Sequence, residues 1–102
     1  METATIDSKI ETRKYSHAHL KIKNNLGLHA RPAAKFAETA EKYNSEIGVY
    51  KGEKYADGKS ILGLLILCAE KGTEIKIRAE GEDHHDAVRE LSSLVNNKFY
   101  EE

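Results

Sequence analysis

Hydrophobic and polar positions alternate from Ala18. Ala18, Leu20 and Ile22 fall on one side and His19, Lys21 and Lys23 on the other, the period of two expected of a strand with one buried face. Asn24-Asn25 stops that pattern. After the following loop the period lengthens: Ala30, Ala33, Ala34, Ala37 and Ala40, with Phe36 and Tyr43, recur at three and four residues and predict a helix with Arg31, Lys35, Glu38 and Glu41 in water. Ile47 and Val49 mark a second strand, and a turn at Lys51-Gly52-Glu53 leads into a short third one, Lys54 to Ala56, as in a hairpin. Ser60 is placed to cap a helix running to about Glu70 and closed by Gly72. Thr73, Ile75, Ile77 and Ala79 then alternate with Glu74, Lys76, Arg78 and Glu80 as a fourth strand. Asp83 is placed to cap a last helix whose apolar face is Ala87, Val88, Leu91, Leu94 and Val95, with Phe99 near its end. The order β-α-β-β-α-β-α predicts an α+β open-faced sandwich, a four-stranded antiparallel sheet covered on one face by helices.

Residues 1–16 carry Glu2, Asp7, Lys9, Glu11, Arg13 and Lys14 with only Ile6, Ile10 and Tyr15 as larger apolar groups, and are expected to form a flexible polar arm ahead of one domain, 17–102. The length of 102 residues suits one core and not two. Sixteen Lys plus Arg against 17 Asp plus Glu argue against nucleic-acid binding held by backbone electrostatics. The longest apolar run, Ile61 to Ala69, is broken by Gly63 and is far shorter than the roughly 20 residues of a membrane span. A single cysteine, Cys68, has no internal disulfide partner, so a reducing cytoplasm is the expected compartment.

The chemistry concentrates at Gly27-Leu28-His29-Ala30-Arg31-Pro32-Ala33, where a strand ends, a glycine turns the chain and a helix opens. Pro32 suits the first helical turn, because its missing N–H has no partner there to lose. The amides of Ala30 and Arg31 are then free to face an anion, favoured by the positive end of the helix dipole. His29 stands directly before them as a nucleophile, and Arg31 can hold a phosphate oxygen by charge-assisted hydrogen bonds. Nucleophile and phosphate cradle are contiguous. Alone, His29 would read as a cap and Arg31 as a solvated charge; the coincidence of three features points to phosphoryl chemistry.

That segment resembles the active-site motif of HPr, the histidine-containing phosphocarrier family of the bacterial phosphoenolpyruvate-dependent sugar phosphotransferase system. Lys59-Ser60-Ile61-Leu62-Gly63 is similar to the segment around the family's regulatory serine, and Gly72-Thr73-Glu74-Ile75 and Glu80-Gly81-Glu82-Asp83 to the segments flanking its last strand. The likeness covers roughly residues 18 to 100. It implies the open-faced β-sandwich read above. It also implies that His29 accepts a phosphoryl group on Nδ1 from phosphorylated enzyme I and passes it to a histidine on an enzyme IIA domain, with Arg31 neutralising the moving group. Such a protein is a carrier, regenerated stoichiometrically, not an enzyme that turns over a substrate. The polar arm departs from the family's usual beginning at the first strand.

Ser60 has a sufficient structural role as an N-cap, and the resemblance adds that an HPr kinase/phosphorylase could phosphorylate it. Gly58-Lys59-Ser60 fails as a P-loop, since five residues and not four separate Gly52 from Gly58. Ile61, Leu62, Leu64, Leu65, Ile66 and Leu67 cover more than one helical stripe, so part of this helix is expected to be exposed. The resemblance assigns Ile61, Leu62 and Leu65 to partner docking. His17 with His19, and His84-His85, read as solvated side chains and not metal ligands; no metal or other cofactor is expected. Cys68 reads as a small core residue. A carrier that exposes its phosphoryl site has reason to remain monomeric.

Other readings compete. One is a paralogous carrier of a nitrogen-related or purely regulatory relay. Another is a small phosphate-ester or acyl-phosphate hydrolase, which lacks a general acid near the motif. A third is a ferredoxin-like RNA- or ligand-binding module, for which the strands are expected to lack the exposed aromatics that stack on bases.

Overall fold

Residues 14–101 are described by a computed structural model. Its strands are β1 (Tyr15–Lys21), β2 (Glu46–Lys51), β3 (Lys54–Asp57) and β4 (Glu74–Glu80), and its helices α1 (Ala30–Glu41), α2 (Ile61–Ile66) and α3 (His84–Asn96), followed by a 3-10 turn, Lys98–Tyr100. The strands form one antiparallel sheet in the order β1-β4-β2-β3. Opposite residues share a face, so Ala18 and Leu20 of β1 meet Ile77 and Ile75 of β4, while Ile47 and Val49 of β2 meet Ala79 and Ile77. This apolar row packs under the helices with Phe36 and Ala40 of α1, Leu64 of α2 and Leu91 and Val95 of α3. The predicted α+β open-faced sandwich is therefore the observed fold.

The chain departs from the sequence expectation at particular points. β1 begins at Tyr15, so Tyr15 and Ser16, assigned to the arm, belong to the sheet, and the Lys14 carbonyl before them accepts from the Gly81 amide at 2.8 Å; residues 1–13 of that arm lie outside the described residues. The middle helix ends at Ile66 and not near Glu70. Cys68 turns to a left-handed φ of 53°, and the Lys51 ammonium reaches across from β2 to cap the Leu67 and Cys68 carbonyls at 3.0 Å each. Cys68 is exposed, not core, because that turn points it outward. Asp83 stands at the N-cap of α3 as expected, but its side chain makes no capping bond. Its carboxylate instead accepts from the Asn44 amide, the Ser45 amide and the Ser45 hydroxyl, tying the start of α3 to the turn after α1. Those hydrogen bonds, led by the one from Ser45, outweigh burial and hold its carboxyl below the usual aspartate range.

His84 is buried, not solvated: its Nδ1 lies 2.5 Å from the Ser16 hydroxyl of β1 and its ring centroid lies 4.1 Å from that of exposed His85, the rings tilted by 38°. His17 and His19 are exposed as expected. The open sheet face does carry exposed aromatics, contrary to expectation. Tyr15 is 54% and Tyr55 59% exposed. Cations lie over two tyrosines of this face, the Arg78 guanidinium 4.5 Å over the Tyr15 ring and the Lys76 ammonium 4.9 Å over Tyr50, while Tyr55 has the carboxylates of Asp57 and Glu46 nearby. Among the described residues no helix is long and apolar enough to cross a membrane.

Candidate functional site

The loop from β1 to α1 is built on Asn24 and Gly27. Asn24 is fully buried and donates through Nδ2 to the Gly27 carbonyl at 2.7 Å, while the Gly27 amide returns to the Asn24 carbonyl at 3.2 Å. Gly27 needs its freedom: at φ +70°, a Cβ there would sit 2.6 Å from the Ala69 carbonyl oxygen. That close approach lets Leu28 donate to the same Ala69 oxygen at 2.9 Å and pins the loop to the segment before β4. The His29 amide then donates back to the Gly27 carbonyl at 2.9 Å, which sets its backbone.

His29 is the N-cap of α1 in extended conformation, and its side chain makes no capping bond, so the imidazole is available. The first intrahelical bond is Ala33 N–H to the His29 carbonyl at 2.9 Å. Pro32 occupies the third helical position and has no N–H. The Ala30 and Arg31 amides therefore have no acceptor among the described residues. The Arg31 side chain is exposed beside them. All four predicted features, the imidazole, the guanidinium and the two amides, meet at one helix end.

One partner was absent from the sequence reading. His29 Nε2 lies 3.1 Å from Oε1 of Glu101, which also accepts from Asn24 Nδ2 at 2.9 Å. Glu101 is delivered by the turn at Lys98–Tyr100, where three consecutive non-glycine residues have φ near +55° to +57°. Buried Phe99 anchors that turn in the core, and Lys35 of α1 donates to the Phe99 carbonyl at 2.7 Å. Burial pushes the Glu101 carboxyl up, but hydrogen bonds from His29 and Asn24 and the nearby charges of His29 and Arg31 more than reverse this, holding it below the usual glutamate range. No periodicity signals such a residue at the end of a chain.

Ser60 is the N-cap of α2, its hydroxyl accepting from the Gly63 amide at 3.0 Å. Of the predicted docking residues, Ile61 and Leu62 are exposed, Leu62 by 68%, whereas Leu65 is half-buried and packs on the core. Ile66 and Leu26 are exposed apolar residues that the sequence reading did not select; Leu26 stands three residues before His29. Among the described residues no group of three metal-ligating side chains occurs.

Comparison with known proteins adds family membership to this geometry. The signature of the PTS HPr component phosphorylation site matches residues 16–97. The chain is 45% identical over 82 residues to the phosphocarrier protein HPr of Neisseria meningitidis serogroup A, covering 80% of this chain and 92% of that protein. Among solved structures, HPr-C-His from Thermoanaerobacter tengcongensis superposes with a TM-score of 0.82 at 44% identity, over 85% of this chain and 98% of that one. An HPr dimer from the same organism does so with a TM-score of 0.67 at 45% identity, over 78% and 92%. HPr-like protein Crh of Bacillus subtilis and phosphocarrier protein NPr of Shewanella violacea are also similar, at 35% and 42% identity over 78% of this chain and 93% and 88% of their own.

Proposed function

Because the chain belongs to the HPr family of phosphocarrier proteins of the phosphotransferase system, we propose that its phosphoryl group is carried on Nδ1 of His29. Phosphorylated enzyme I is the donor and a histidine of an enzyme IIA domain the acceptor. The carrying observation is the meeting of an uncapped His29 imidazole with two unpaired amides at the N-terminus of α1. In loading, the Nδ1 lone pair forms the new N–P bond while the donor's N–P bond breaks and its electron pair stays on the donor. The Ala30 and Arg31 amides and the Arg31 guanidinium face the phosphoryl oxygens and balance their charge through the transfer. In unloading, the lone pair of the acceptor histidine forms the new N–P bond while the Nδ1–P bond breaks and its electron pair returns to His29.

The partners dock on the apolar surface of Ile61 and Leu62, with Leu65 supporting it from below. Ser60, at the edge of this surface, is the regulatory site for an HPr kinase/phosphorylase. The carrier works as a monomer in the cytoplasm, where the exposed Cys68 thiol stays reduced. Incubation with phosphoenolpyruvate and enzyme I tests the assignment by intact mass: one acid-labile, base-stable phosphoryl adduct is expected in the wild type and none in folded His29→Ala. An undiminished adduct in that variant refutes it. Arg31→Ala is expected to load about tenfold to a hundredfold more slowly, the worth of one hydrogen bond to a charged group.

A further inference from the structure

Glu101 lies beyond the residues 16–97 matched by the family signature, yet among the described residues it is the side-chain hydrogen-bond partner of the His29 ring. A carboxylate has no hydrogen to give. At 3.1 Å from Oε1, Nε2 must therefore carry the proton of the neutral ring, which leaves the lone pair on Nδ1. The carboxylate is itself fixed. Asn24, fully buried, donates to it at 2.9 Å, and the Asn24 amide nitrogen is fixed in turn by the Gly27 carbonyl at 2.7 Å. Asn24, Glu101 and His29 thus form a chain in which each member orients the next.

We propose that Glu101 is a positioning residue for His29, holding the ring in the Nε2–H tautomer with Nδ1 turned out as the nucleophile. The effect on transfer rests on the phosphocarrier reading above; the tautomer does not. When Nδ1 forms its bond to phosphorus and the donor keeps the electron pair of the bond it loses, the ring gains one positive charge while Nε2 retains its hydrogen. The Glu101 carboxylate then faces a cation and interacts more strongly with it than with the neutral ring, which is the condition for lowering the barrier. The low pKa of the Glu101 carboxyl keeps it ionised for that role.

The tail that carries Glu101 is seated by Phe99 and Lys35, not by the Glu101 side chain, so substitution there leaves the fold in place. Long-range nitrogen-15 to proton spectra of the full chain, recorded on the alkaline side of the ring's titration, read the tautomer directly. Wild type is expected to show His29 with Nε2 protonated. Glu101→Ala is expected to lose that preference and to load from enzyme I about tenfold more slowly. Glu101→Gln, whose amide oxygen still accepts from Nε2, should restore the tautomer and part of the rate. An unchanged tautomer in Glu101→Ala overturns the proposal, and so does a shifted tautomer with an unchanged rate. A wild-type protein that shows the Nε2–H tautomer but takes no phosphoryl group at His29 would overturn the phosphocarrier assignment instead.

Discussion

Replacing Gly27 by alanine tests how the active loop is held, because two effects of known size meet there. The left-handed conformation at φ +70° costs an alanine about 1–2 kcal/mol. The stiffer unfolded chain returns about 0.4–1 kcal/mol of that. Gly52, at φ +59° with nothing within 4 Å of its Cβ position, isolates this backbone part, and Gly52→Ala should cost about 1 kcal/mol. At Gly27 the new Cβ would also stand 2.6 Å from the Ala69 oxygen and 2.9 Å from Glu70 Cα, both backbone atoms with little room to yield. Relief requires the loop to move off residues 69–70, adding an overpacking cost of about 1–3 kcal/mol and loosening the Leu28 to Ala69 hydrogen bond. The sum is about 3 kcal/mol. At roughly 4–8 °C per kcal/mol for a domain of this size, Gly27→Ala should lower the melting temperature by about 12–24 °C, against about 4–8 °C for Gly52→Ala. Circular dichroism melts of both variants measure this, and phosphoryl loading of the folded fraction should also slow in Gly27→Ala, since Gly27 holds the His29 amide and Asn24. Equal melting temperatures in the two variants would refute the steric argument.

In the middle helix, Leu64→Ala should cost about 2–5 kcal/mol of stability as a core cavity, whereas Leu62→Glu should leave the melt nearly unchanged and weaken enzyme I binding in calorimetry. Ser60→Ala should lose about 1 kcal/mol with the cap, while Ser60→Asp keeps an acceptor for Gly63 and lowers enzyme I affinity by its charge; equal affinity loss in both variants would leave the hydroxyl as a cap alone. His84, whose pKa burial and then His85 and Lys14 push below 6.5, is protonated more readily in the unfolded chain, so stability should fall as pH drops below about 6.5, and urea melts of His84→Gln should lack that fall. Asp83, lowered by its Ser45 hydrogen bond, contributes above its ordinary 3.8 and loses that contribution only as pH falls further, so Asp83→Asn should differ most from wild type near neutrality.

The strand from Thr73 to Ala79 and the motif from Gly27 to Ala33 could be read directly because their information is contiguous: an uninterrupted alternation in one, a turn and a helix start in the other. The middle helix was overextended because the apolar run through Leu67 and Cys68 contains no stop signal, and its terminator is the side chain of Lys51 on another strand. Asp83 has the right type and place for a cap, and only the tertiary position of Asn44 and Ser45 shows which amides it takes. The burial of His84 likewise depends on Ser16, a residue assigned to the arm. Glu101 reaches His29 from the far end of the chain through a left-handed turn built without glycine, a conformation that Lys98, Phe99 and Tyr100 do not advertise.

The central place of β4 in the strand order has a consequence in time. β2 and β3 are joined by a tight turn and can pair as soon as they are made, but β1 has no neighbour except β4, and even its closest pairing, Lys21 with Glu74, lies across half of the chain. Closing so long a loop loses chain entropy before any of its contacts form, which sets a slow step in the search for the native state. Until that step is complete, Asn24 and the His29 loop that follow β1 have no floor at residues 69–70 to rest on. The His29 loop is therefore expected to be among the last parts of the molecule to be assembled, together with the docking of the first strand.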